Sequence, residues 1–581
     1  MGQIGRCLLE MKELLAAARG DRPADLVIRG AKVANVYTLE YESLDVAVFG
    51  DRIVGLGEGF EGREVVDAGG KTLIPGMIDG HVHIESTMLT PPVFADSVVT
   101  RGTTTVMADP HEIANALGLK GVEYMYLSSR GLNVDVFLGA PSCVPASPFE
   151  TPFEELGSLS VSEMFRRGWC QHLAEVMNFP GVINGDTGVW GKIQAAGNVP
   201  LTGHAPQVTG RALNAYALAG ISSDHECVGP EEALEKLRRG LWVMMREGAS
   251  FPNLRTLLPI VKDNPTLAAR CMAVTDDITA RYLAEVGHMD VKVRIMIEEG
   301  LDPLTALRMV TLSPADYFGL RDRGAIAPGL RADLVLVDDL ASCRVSHVWK
   351  NGRAVVEGGR LIAATARATP VPFPAPVPIV PPTPEQLAVP ASGKELRVIG
   401  VAEGEVLTRT LTLPASVKDG QVVPDPDRDL AKIVVLERHR GTGRFAVGFV
   451  SGLGIKRGAL ASSVAHDAHN FVAAGMDDRS IVTALASLCA SGGGLAVAEG
   501  EPVKGVLKLP VGGLMTNLDA ASAARELDEL ESKARTLGVT MAHPFMALSF
   551  LCLSVIPELR LTDQGYVDIT RGGLQSLFAD A

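Results

Sequence analysis

Short apolar strands alternate with helical segments between residues 77 and 320, and few folds accommodate such a pattern. Helical patterns such as EEALEKLRRG and MDVKVRIMIEEG separate several of the strands. Eight βα units in about 240 residues match the size of a (β/α)8 barrel, an α/β fold. A doubly wound open sheet is the alternative, but no GxGxxG turn follows the first strand. The eight segments end at MIDGHVH, TTTVMADPH, VDVFLGAPS, CQHLAEVM, VPLTGHA, GISSDHE, LWVMMREG and CMAVTDD.

Two strand-rich segments flank the predicted barrel. The first contains ADLVIRGAKVANV, SLDVAVFGDRIVGLG and REVVDAGGKTLIPG, and the second contains AIAPGLRADLVLVDDL and VSHVWKNGRAVVEGG. In the second segment, Asn351-Gly352 is a strong signal for a hairpin turn. We expect residues 1–76, which begin with a short amphipathic helix, and residues 321–368 to form one small β-sandwich together.

A proline-rich segment marks the clearest domain boundary. Eight of the fifteen residues from Pro370 to Pro384 are proline, so neither a helix nor a central strand can form there. We expect an extended linker over residues 369–390. Residues 391–581 then form a C-terminal α/β domain, with strands at KIVVLERH and RFAVGFV and a helix around AASAARELDELESKARTLG.

Composition excludes several classes of protein. Hydrophobic residues make up 47% and charged residues 21%, as in a globular protein with a large core. The net charge of −14 argues against nucleic acid or an anionic membrane as a partner. No uncharged apolar run reaches the length of a membrane span. The eight cysteines are scattered, which fits reduced thiols and predicts a cytoplasmic enzyme.

Metal-ligating residue types recur where the predicted strands end. Barrel enzymes place their chemistry at the carboxyl ends of strands, and residues i and i+2 of a strand point to the same side. Four imidazoles and two carboxylates would suit a pair of divalent metals, with one carboxylate between them. The residues are His81 and His83 after strand one, Glu175 after strand four, His204 after strand five, His225 after strand six and Asp276 after strand eight.

Each of these signals also has a structural explanation. A histidine at a strand end is more often a hydrogen-bonded structural residue, and Glu175 could pair with a basic neighbour. In TDD, Asp277 could only cap a helix. However, the chain has only 12 histidines, and four of them end barrel strands in order. The joint placement therefore favours a binuclear metal centre.

The motifs together carry a family resemblance over nearly the whole chain. The order HxH, Glu, His, His, Asp on a barrel flanked by a two-piece sandwich resembles the amidohydrolase superfamily. More narrowly, PGMIDGHVHIEST, DPHE, LAEVMNFPGVI, DHE and TDD are similar to motifs of the bacterial adenine deaminases. The C-terminal segments LERHRGTGRFAVGFVSGLGIKRGALASSVAHDAHN and GGLM add to that likeness.

The resemblance implies roles for the candidate residues. His81 and His83 would bind a first metal and His204 and His225 a second. Glu175 would bridge them where many relatives use a carboxylated lysine, and Asp276 would bind the first metal and shuttle protons. The metals implied are two divalent transition ions: Mn, Fe or Zn. The implied reaction is attack of a metal-bridging hydroxide on adenine C6, which yields hypoxanthine and ammonia.

Further residues near the same mouth are candidates for supporting roles. Asp109 is a candidate for a supporting proton-transfer role, although before Pro110 it could simply start a turn. His111 and Glu85 are candidate substrate contacts, and Glu85 could instead cap the next helix. We expect His466 and His469, spaced as on one helical face, to be structural or to line the mouth. The alternative is that they bind an extra metal.

Two rival functions remain open on sequence alone. One is a cyclic-amide hydrolase of the dihydroorotase or hydantoinase kind, which usually carries lysine where this chain has Glu175. The other is a catalytically inactive scaffold, which should have lost ligands. The unrelated zinc deaminases are excluded because no PCxxC occurs. The expected partners are a small purine substrate and a second copy of the chain in a homodimer, with no nucleic acid or membrane.

Overall fold

The protein is described from a computed structural model covering residues 8–249, 251–364, 378–403 and 407–580. It begins with helix α1 (Leu8–Ala18), as the amphipathic pattern predicts. Five strands follow before the barrel region: β1 (Ala24–Asn35), β2 (Glu40–Phe49), β3 (Arg52–Leu56), β4 (Gly62–Asp67) and β5 (Thr72–Pro75).

Eight parallel strands occur at the eight predicted places. The first five form one sheet in chain order and the last three form another. Every residue of the first two strands is buried, and a strand covered on both faces can be apolar throughout instead of alternating. The strands are β6 (Met77–Val82), β7 (Thr103–Ala108), β8 (Asp135–Ala140), β9 (Cys170–Val176), β10 (Leu201–Gly203), β11 (Ser223–Asp224), β12 (Trp242–Arg246) and β13 (Cys271–Val274).

Backbone hydrogen bonds link the two parallel sheets at both of their edges. Past β13, the Asp276 amide donates to the His81 carbonyl at 2.8 Å, and past β10 the Ser222 amide donates to the Leu201 carbonyl at 3.0 Å. The parallel sheet is therefore curled, and the carboxyl ends of its strands surround one mouth.

Helices connect the parallel strands. Several start with a side-chain cap, as at α14, where Asp302 accepts from the amides of Leu304 and Thr305. The helices are α2 (Pro91–Val99), α3 (His111–Leu117), α4 (Leu119–Ser128), α5 (Ser158–Arg166), α6 (Phe179–Asn184), α7 (Thr187–Ala196), α8 (Gly210–Leu218), α9 (Pro230–Arg238), α10 (Leu254–Leu257), α11 (Pro259–Asp263), α12 (Ala280–Glu285), α13 (Met289–Glu298), α14 (Pro303–Arg308) and α15 (Leu312–Phe318), with 3-10 turns at Ile84–Thr87 and Pro265–Arg270.

The two flanking strand-rich segments join in one sheet of nine strands. Beyond the barrel region come β14 (Leu334–Val337), β15 (Val345–Lys350), β16 (Arg353–Glu357) and β17 (Arg360–Leu361). Strand β14 runs antiparallel to β5, with Leu334 opposite Pro75. Strands from both segments thus belong to one sheet.

The C-terminal part contains an eight-stranded mixed sheet with helices, as predicted. Its helices are α16 (Asp478–Ser491), α17 (Ala520–Thr536) and α18 (Pro544–Phe550), with 3-10 turns at Pro384–Leu387, Pro426–Arg428 and Ile569–Arg571. Its strands are β18 (Val389–Pro390), β19 (Glu395–Gly400), β20 (Arg409–Pro414), β21 (Val417–Lys418), β22 (Gln421–Val422), β23 (Ala431–Leu436), β24 (Phe445–Ser451), β25 (Ala459–Ser462), β26 (Phe471–Gly475), β27 (Gly494–Ala498), β28 (Val503–Lys508), β29 (Leu559–Thr562), β30 (Gly565–Asp568) and β31 (Gly573–Gln575).

The predicted proline-rich linker is only partly within the described residues. Residues 369–377 lie outside them. The remainder includes the Pro384–Leu387 turn and β18, and Leu387 is fully buried in the same core as helix α16.

The C-terminal part packs against loops at the carboxyl ends of the parallel strands. Past β6, the Thr516 amide donates to the Met88 carbonyl at 2.7 Å. Past β8, Thr151 donates through its hydroxyl to Asp563 at 2.7 Å. The mouth of the curled sheet is therefore covered by the C-terminal part. Among the described helices, none combines the length and the apolar character that crossing a membrane requires.

Candidate metal centre

His81 and His83 lie at the end of β6 with their rings close together. Their ring centroids are 4.8 Å apart, and both Nε2 atoms approach Asp276 Oδ1, at 3.4 Å and 3.1 Å. The Nδ1 of His83 lies 3.1 Å from the Asp109 carbonyl oxygen and donates to it. With the proton held on Nδ1, the Nε2 lone pair of His83 is free to face a cation.

Asp276 follows β13 in an unusual backbone conformation. Its φ of 64° lies in the left-handed region, which non-glycine residues adopt at a cost and which often marks functional sites. Its two oxygens have different partners, because Oδ1 faces the histidines while Oδ2 accepts from Arg246 Nη1 at 2.7 Å. Burial raises the pKa of Asp276, but Arg246 and the two histidines outweigh it, so the pKa lies well below the ordinary value.

Glu175, near the end of β9, lies between two groups of histidines. Its Oε2 is 2.7 Å from His204 Nδ1 and 3.2 Å from His225 Nε2. Its Oε1 is 3.4 Å from His83 Nε2 on the other side. The carboxylate is buried, which raises its pKa, but His204 and His225 outweigh that effect and the pKa lies well below its ordinary value. One short side chain thus reaches both groups.

His204 and His225 come directly after β10 and β11. Their ring centroids are 5.1 Å apart, and the His225 ring stacks on His81 at 4.3 Å. Burial opposes protonation of His204, but Glu226 and Glu175 raise its pKa to about 9. All six predicted ligands are therefore brought together at the mouth.

The donor set fits divalent transition metals. Nitrogen and carboxylate oxygen atoms converge in a largely buried site, and they are the ligand mixture that such ions take. His81 Nε2 is buried and has no hydrogen-bond partner among the described residues, which leaves it available to a cation. The ligand atoms of His81, His83 and Asp276 lie within 4.8 Å of one another, and so do those of His81, Glu175 and His225. The residues do not discriminate between Mn, Fe and Zn.

Asp109 and His111 lie beside Glu175. Asp109 Oδ2 accepts from the Glu175 amide at 3.3 Å, and its Oδ1 accepts from the His111 amide at 3.1 Å. His111 Nδ1 is 3.5 Å from Glu175 Oε1. Asp109 therefore both orders the turn before α3 and fixes the backbone of Glu175.

Glu85 is buried in the turn after β6. Its Oε1 accepts from the Ile113 amide in the first turn of α3 at 3.2 Å, while Oε2 has no hydrogen-bond partner among the described residues. Burial raises the pKa of Glu85 to about 7. One oxygen thus caps α3, and not the next helix, α2, which was the predicted alternative, while the other oxygen is available.

The C-terminal histidines meet Glu112 of the DPHE motif. His466 Nδ1 is 2.8 Å from Glu112 Oε1, and His469 Nε2 bonds to Glu112 Oε2. The Nδ1 of His469 accepts from the Ala465 amide at 3.1 Å, so the proton lies on Nε2 and is donated to Glu112. This bonding suits the predicted structural role of His469 better than metal ligation.

A cavity of about 350 Å³ lies between the strand-end loops and the C-terminal part. Its walls are mostly apolar, and it reaches Asp277, the neighbour of Asp276. Its volume is that of a site for a small molecule. Lining residues include Ser86, Gly248, Asp277, His466 and Phe550.

Two residues of the site, Glu226 and Arg246, were not predicted from sequence. Glu226 Oε1 is 3.4 Å from His225 Nε2, and Arg246 pairs with both Glu226 and Asp276. The sequence did contain a signal for both residues, because Arg246 ends an otherwise apolar strand and Glu226 directly follows a predicted ligand.

Sequence comparisons agree across almost the whole chain. Residues 405–572 match the family described as "Adenine deaminase C-terminal domain", and residues 72–355 match the "Amidohydrolase family". The chain is 44% identical over 568 residues to an "Adenine deaminase" of Desulfatibacillum aliphaticivorans, covering 97% of this chain and 99% of that protein. It is 42% identical over 559 residues to that of Dehalococcoides mccartyi, covering 96% and 98%. It is 41% identical over 575 residues to that of Methanothrix thermoacetophila, covering 98% and 100%.

Proposed function

Because the chain belongs to the adenine deaminase family of amidohydrolases, we propose that it hydrolyses adenine to hypoxanthine and ammonia. The observation that carries the proposal is the position of Glu175, whose two oxygens face different histidines in a buried site next to an apolar cavity. A ligand set complete in all six positions also argues against an inactive scaffold.

The centre that we propose holds two divalent ions. His81, His83 and Asp276 would hold the first, His204 and His225 the second, and Glu175 would lie between them. Ions bound there would supply Lewis acidity and lower the pKa of a water molecule. Mn and Fe are our first choices and Zn the third.

Asp276 is our proposed proton carrier. Addition of water at C6 and loss of the amine leave two protons to place, one on the departing nitrogen and one on ring N1. With its pKa held low, Asp276 is ionised and can accept a proton, and the same Oδ1 can then deliver it to the amine. Arg246 holds the other oxygen and so fixes the direction of the carboxylate.

Four further predicted residues complete the proposed site. We infer that Asp109 supports the proton transfer by holding the Glu175 backbone. Glu85, with its available Oε2, and His111, beside Glu175, would contact the purine. His466 would form part of the cavity wall together with Phe550, on which its ring stacks at 5.0 Å.

The runner-up is a cyclic-amide hydrolase of the dihydroorotase or hydantoinase kind. Those enzymes usually carry a lysine in the bridging position, where this chain has Glu175. A substrate panel separates the two functions. Protein loaded separately with Mn, Fe or Zn is incubated with adenine, adenosine, dihydroorotate and hydantoin, and released ammonia and ultraviolet absorbance are followed.

We expect about two metal ions per chain and release of ammonia from adenine. Metallated protein that opens a cyclic amide but leaves adenine unchanged would establish the runner-up instead. The Asp276→Asn variant serves as the blank for contaminating activity.

The finer architecture is part of the same proposal. We infer that the parallel sheets form one (β/α)8 barrel over residues 77–320, and the hydrogen bonds at both edges support it. Residues 1–76 and 321–368 would form the sandwich, residues 369–390 the linker and residues 391–581 the C-terminal domain. The dimer and the cytoplasmic location stay predictions, and light scattering of the purified protein tests the first.

A further inference from the structure

Lys236 of helix α9 is completely buried beneath the loops that follow β10 and β11. Its Nζ donates to the Ala205 carbonyl at 2.7 Å, to Asp224 Oδ2 at 2.9 Å and to Glu232 Oε1 at 2.5 Å. An ammonium group has three protons, so all of its donors are satisfied. None of these contacts is to a proposed metal ligand.

The two carboxylates that Lys236 contacts each tie the same two loops together. Asp224 accepts from the Ala205 amide at 2.7 Å and from the Glu226 amide at 3.1 Å. Glu232 accepts from the Gln207 amide at 2.8 Å and from the Val228 amide at 3.0 Å. Two side chains, Asp224 and Glu232, thus join the loop of residues 204–208 to the loop of residues 225–228.

These two loops carry the histidines proposed for the second metal. His204 directly precedes Ala205, and His225 directly follows Asp224. The buried carboxylates of Asp224 and Glu232 need the Lys236 ammonium to balance their charge, because its loss would leave uncompensated buried charge. Without Lys236 the two carboxylates would repel each other, and the contacts through which they join the two loops would weaken.

We propose that Lys236 is a positioning residue that sets the spacing of His204 and His225 for the second metal. The inference rests on the proposed binuclear centre. The first pair is held by other contacts, since Asp79 accepts from the His81 amide at 3.3 Å and His83 donates to the Asp109 carbonyl. Loss of Lys236 should therefore weaken one metal and spare the other.

Stepwise Mn²⁺ binding by full-length protein, measured in competition with a chelator, tests this. We expect Lys236→Met to weaken one binding step about 10- to 100-fold, as loss of residues that orient ligands does, and to leave the other step within about threefold. His204→Ala and His81→Ala identify the steps. The electron paramagnetic resonance spectrum of Lys236→Met with one Mn²⁺ per chain should match that of His204→Ala and differ from that of His81→Ala.

A control separates this effect from the general cost of removing a buried lysine. Lys432 of β23 is also buried and donates to Asp478 at 2.5 Å, in the C-terminal part. Lys432→Met should lower the unfolding temperature but leave both metal steps unchanged. If Lys236→Met does not fold, Glu232→Gln provides the same test with one carboxylate neutralised, and we expect at least a threefold loss in the same step.

The outcomes distinguish the inference from the proposed function. Wild-type protein that binds fewer than two ions would overturn the binuclear centre itself. Wild-type protein that binds two, with a folded Lys236→Met or Glu232→Gln variant that binds both equally well, would overturn only the role of Lys236. Equal weakening of both steps would also overturn it.

Discussion

Two carboxylates at the proposed metal centre divide their oxygens between different partners. Glu175 reaches His83 with one oxygen and His204 with the other, and Asp276 reaches the first histidine pair with one oxygen and Arg246 with the other. A split of this kind fixes the orientation of each carboxylate. It also means that the contacts of each oxygen can be tested separately by mutation.

Asp276→Asn should remove nearly all turnover while the protein stays folded. The amide keeps the shape of the side chain but cannot accept the proton, and general acid–base catalysis contributes about 10²- to 10⁴-fold. The measurement is kcat for adenine, with metal content and unfolding temperature as controls. A metallated Asp276→Asn variant with ordinary kcat would contradict the proton-carrier role.

Glu85→Gln should raise KM for adenine more than it lowers kcat. A glutamine can still accept from the Ile113 amide, so α3 keeps its contact, while the second oxygen becomes a donor. If Glu85 contacts the purine, we expect KM to rise about tenfold, the effect of one lost hydrogen bond to a charged group. Unchanged KM in a folded variant would return Glu85 to a capping role alone.

The sequence predicted that the six proposed ligands converge, because the carboxyl ends of parallel strands in a barrel meet at one mouth. It did not predict Lys236, because EEALEKLRRG has the charge pattern of an ordinary solvent-exposed helix. Nor did it predict that Arg246 pairs with Glu226 and Asp276, since that pairing depends on how strands six, seven and eight are spaced. Side-chain pairing across elements requires three-dimensional distances that a linear pattern does not contain.

At the level of elements, strands β10 and β11 are much shorter than the segments that predicted them. VPLTGHA and GISSDHE are reduced to Leu201–Gly203 and Ser223–Asp224. The backbone leaves the sheet at Ala205, whose amide donates to the Asp224 carboxylate instead of to a neighbouring strand. The same hydrogen bonds that end the strands therefore shape the loops that carry His204 and His225.

Helix α8 also holds the ends of β9 and β10 together through one hydroxyl group. Tyr216 is fully buried, accepts from the His204 amide at 3.0 Å and donates to the Val176 carbonyl at 3.0 Å. Tyr216→Phe leaves both backbone groups without their partner at a cost of about 1–3 kcal/mol. We expect calorimetry to give an unfolding temperature lower by a few degrees.

Tyr126→Phe is the matched control, because the Tyr126 ring packs near Trp169 and its hydroxyl bonds to no described residue. It should change the unfolding temperature very little. Equal effects of the two substitutions would argue against a specific role for the Tyr216 hydroxyl.

At the level of the whole molecule, polar contacts hold the C-terminal part on the mouth. Ser147, past β8, lies 2.7 Å from Ser554, and Ser554 donates to Glu150 at 2.8 Å. Glu150 is buried there, and burial raises its pKa to about 8. Its carboxyl group is therefore protonated in the folded protein at neutral pH.

Glu150 should make stability depend on pH. The folded state keeps the proton up to about pH 8, while the unfolded chain, with a pKa near 4.5, releases it. The contribution of Glu150 to the free energy of unfolding is thus complete below pH 4.5. It is lost as the pH rises to 8, by about 1.4 kcal/mol per pH unit at most.

Glu150→Gln should remove that dependence. Unfolding temperatures measured from pH 5 to pH 8 should fall less steeply for the variant than for the wild type, so that the variant gains relative stability as the pH rises. Parallel curves for the two proteins would show that Glu150 is ionised when folded.

The sheet built from both sides of the barrel region imposes an order on synthesis. Strand β5 cannot meet β14 until about 260 further residues have been made, since Leu334 pairs with Pro75. At about 5–20 residues per second, ribosomal elongation leaves the β5 edge unpaired for roughly 13–50 seconds. An open strand edge recruits other strands, so the nascent chain is most prone to aggregate, and most in need of a chaperone, in that interval.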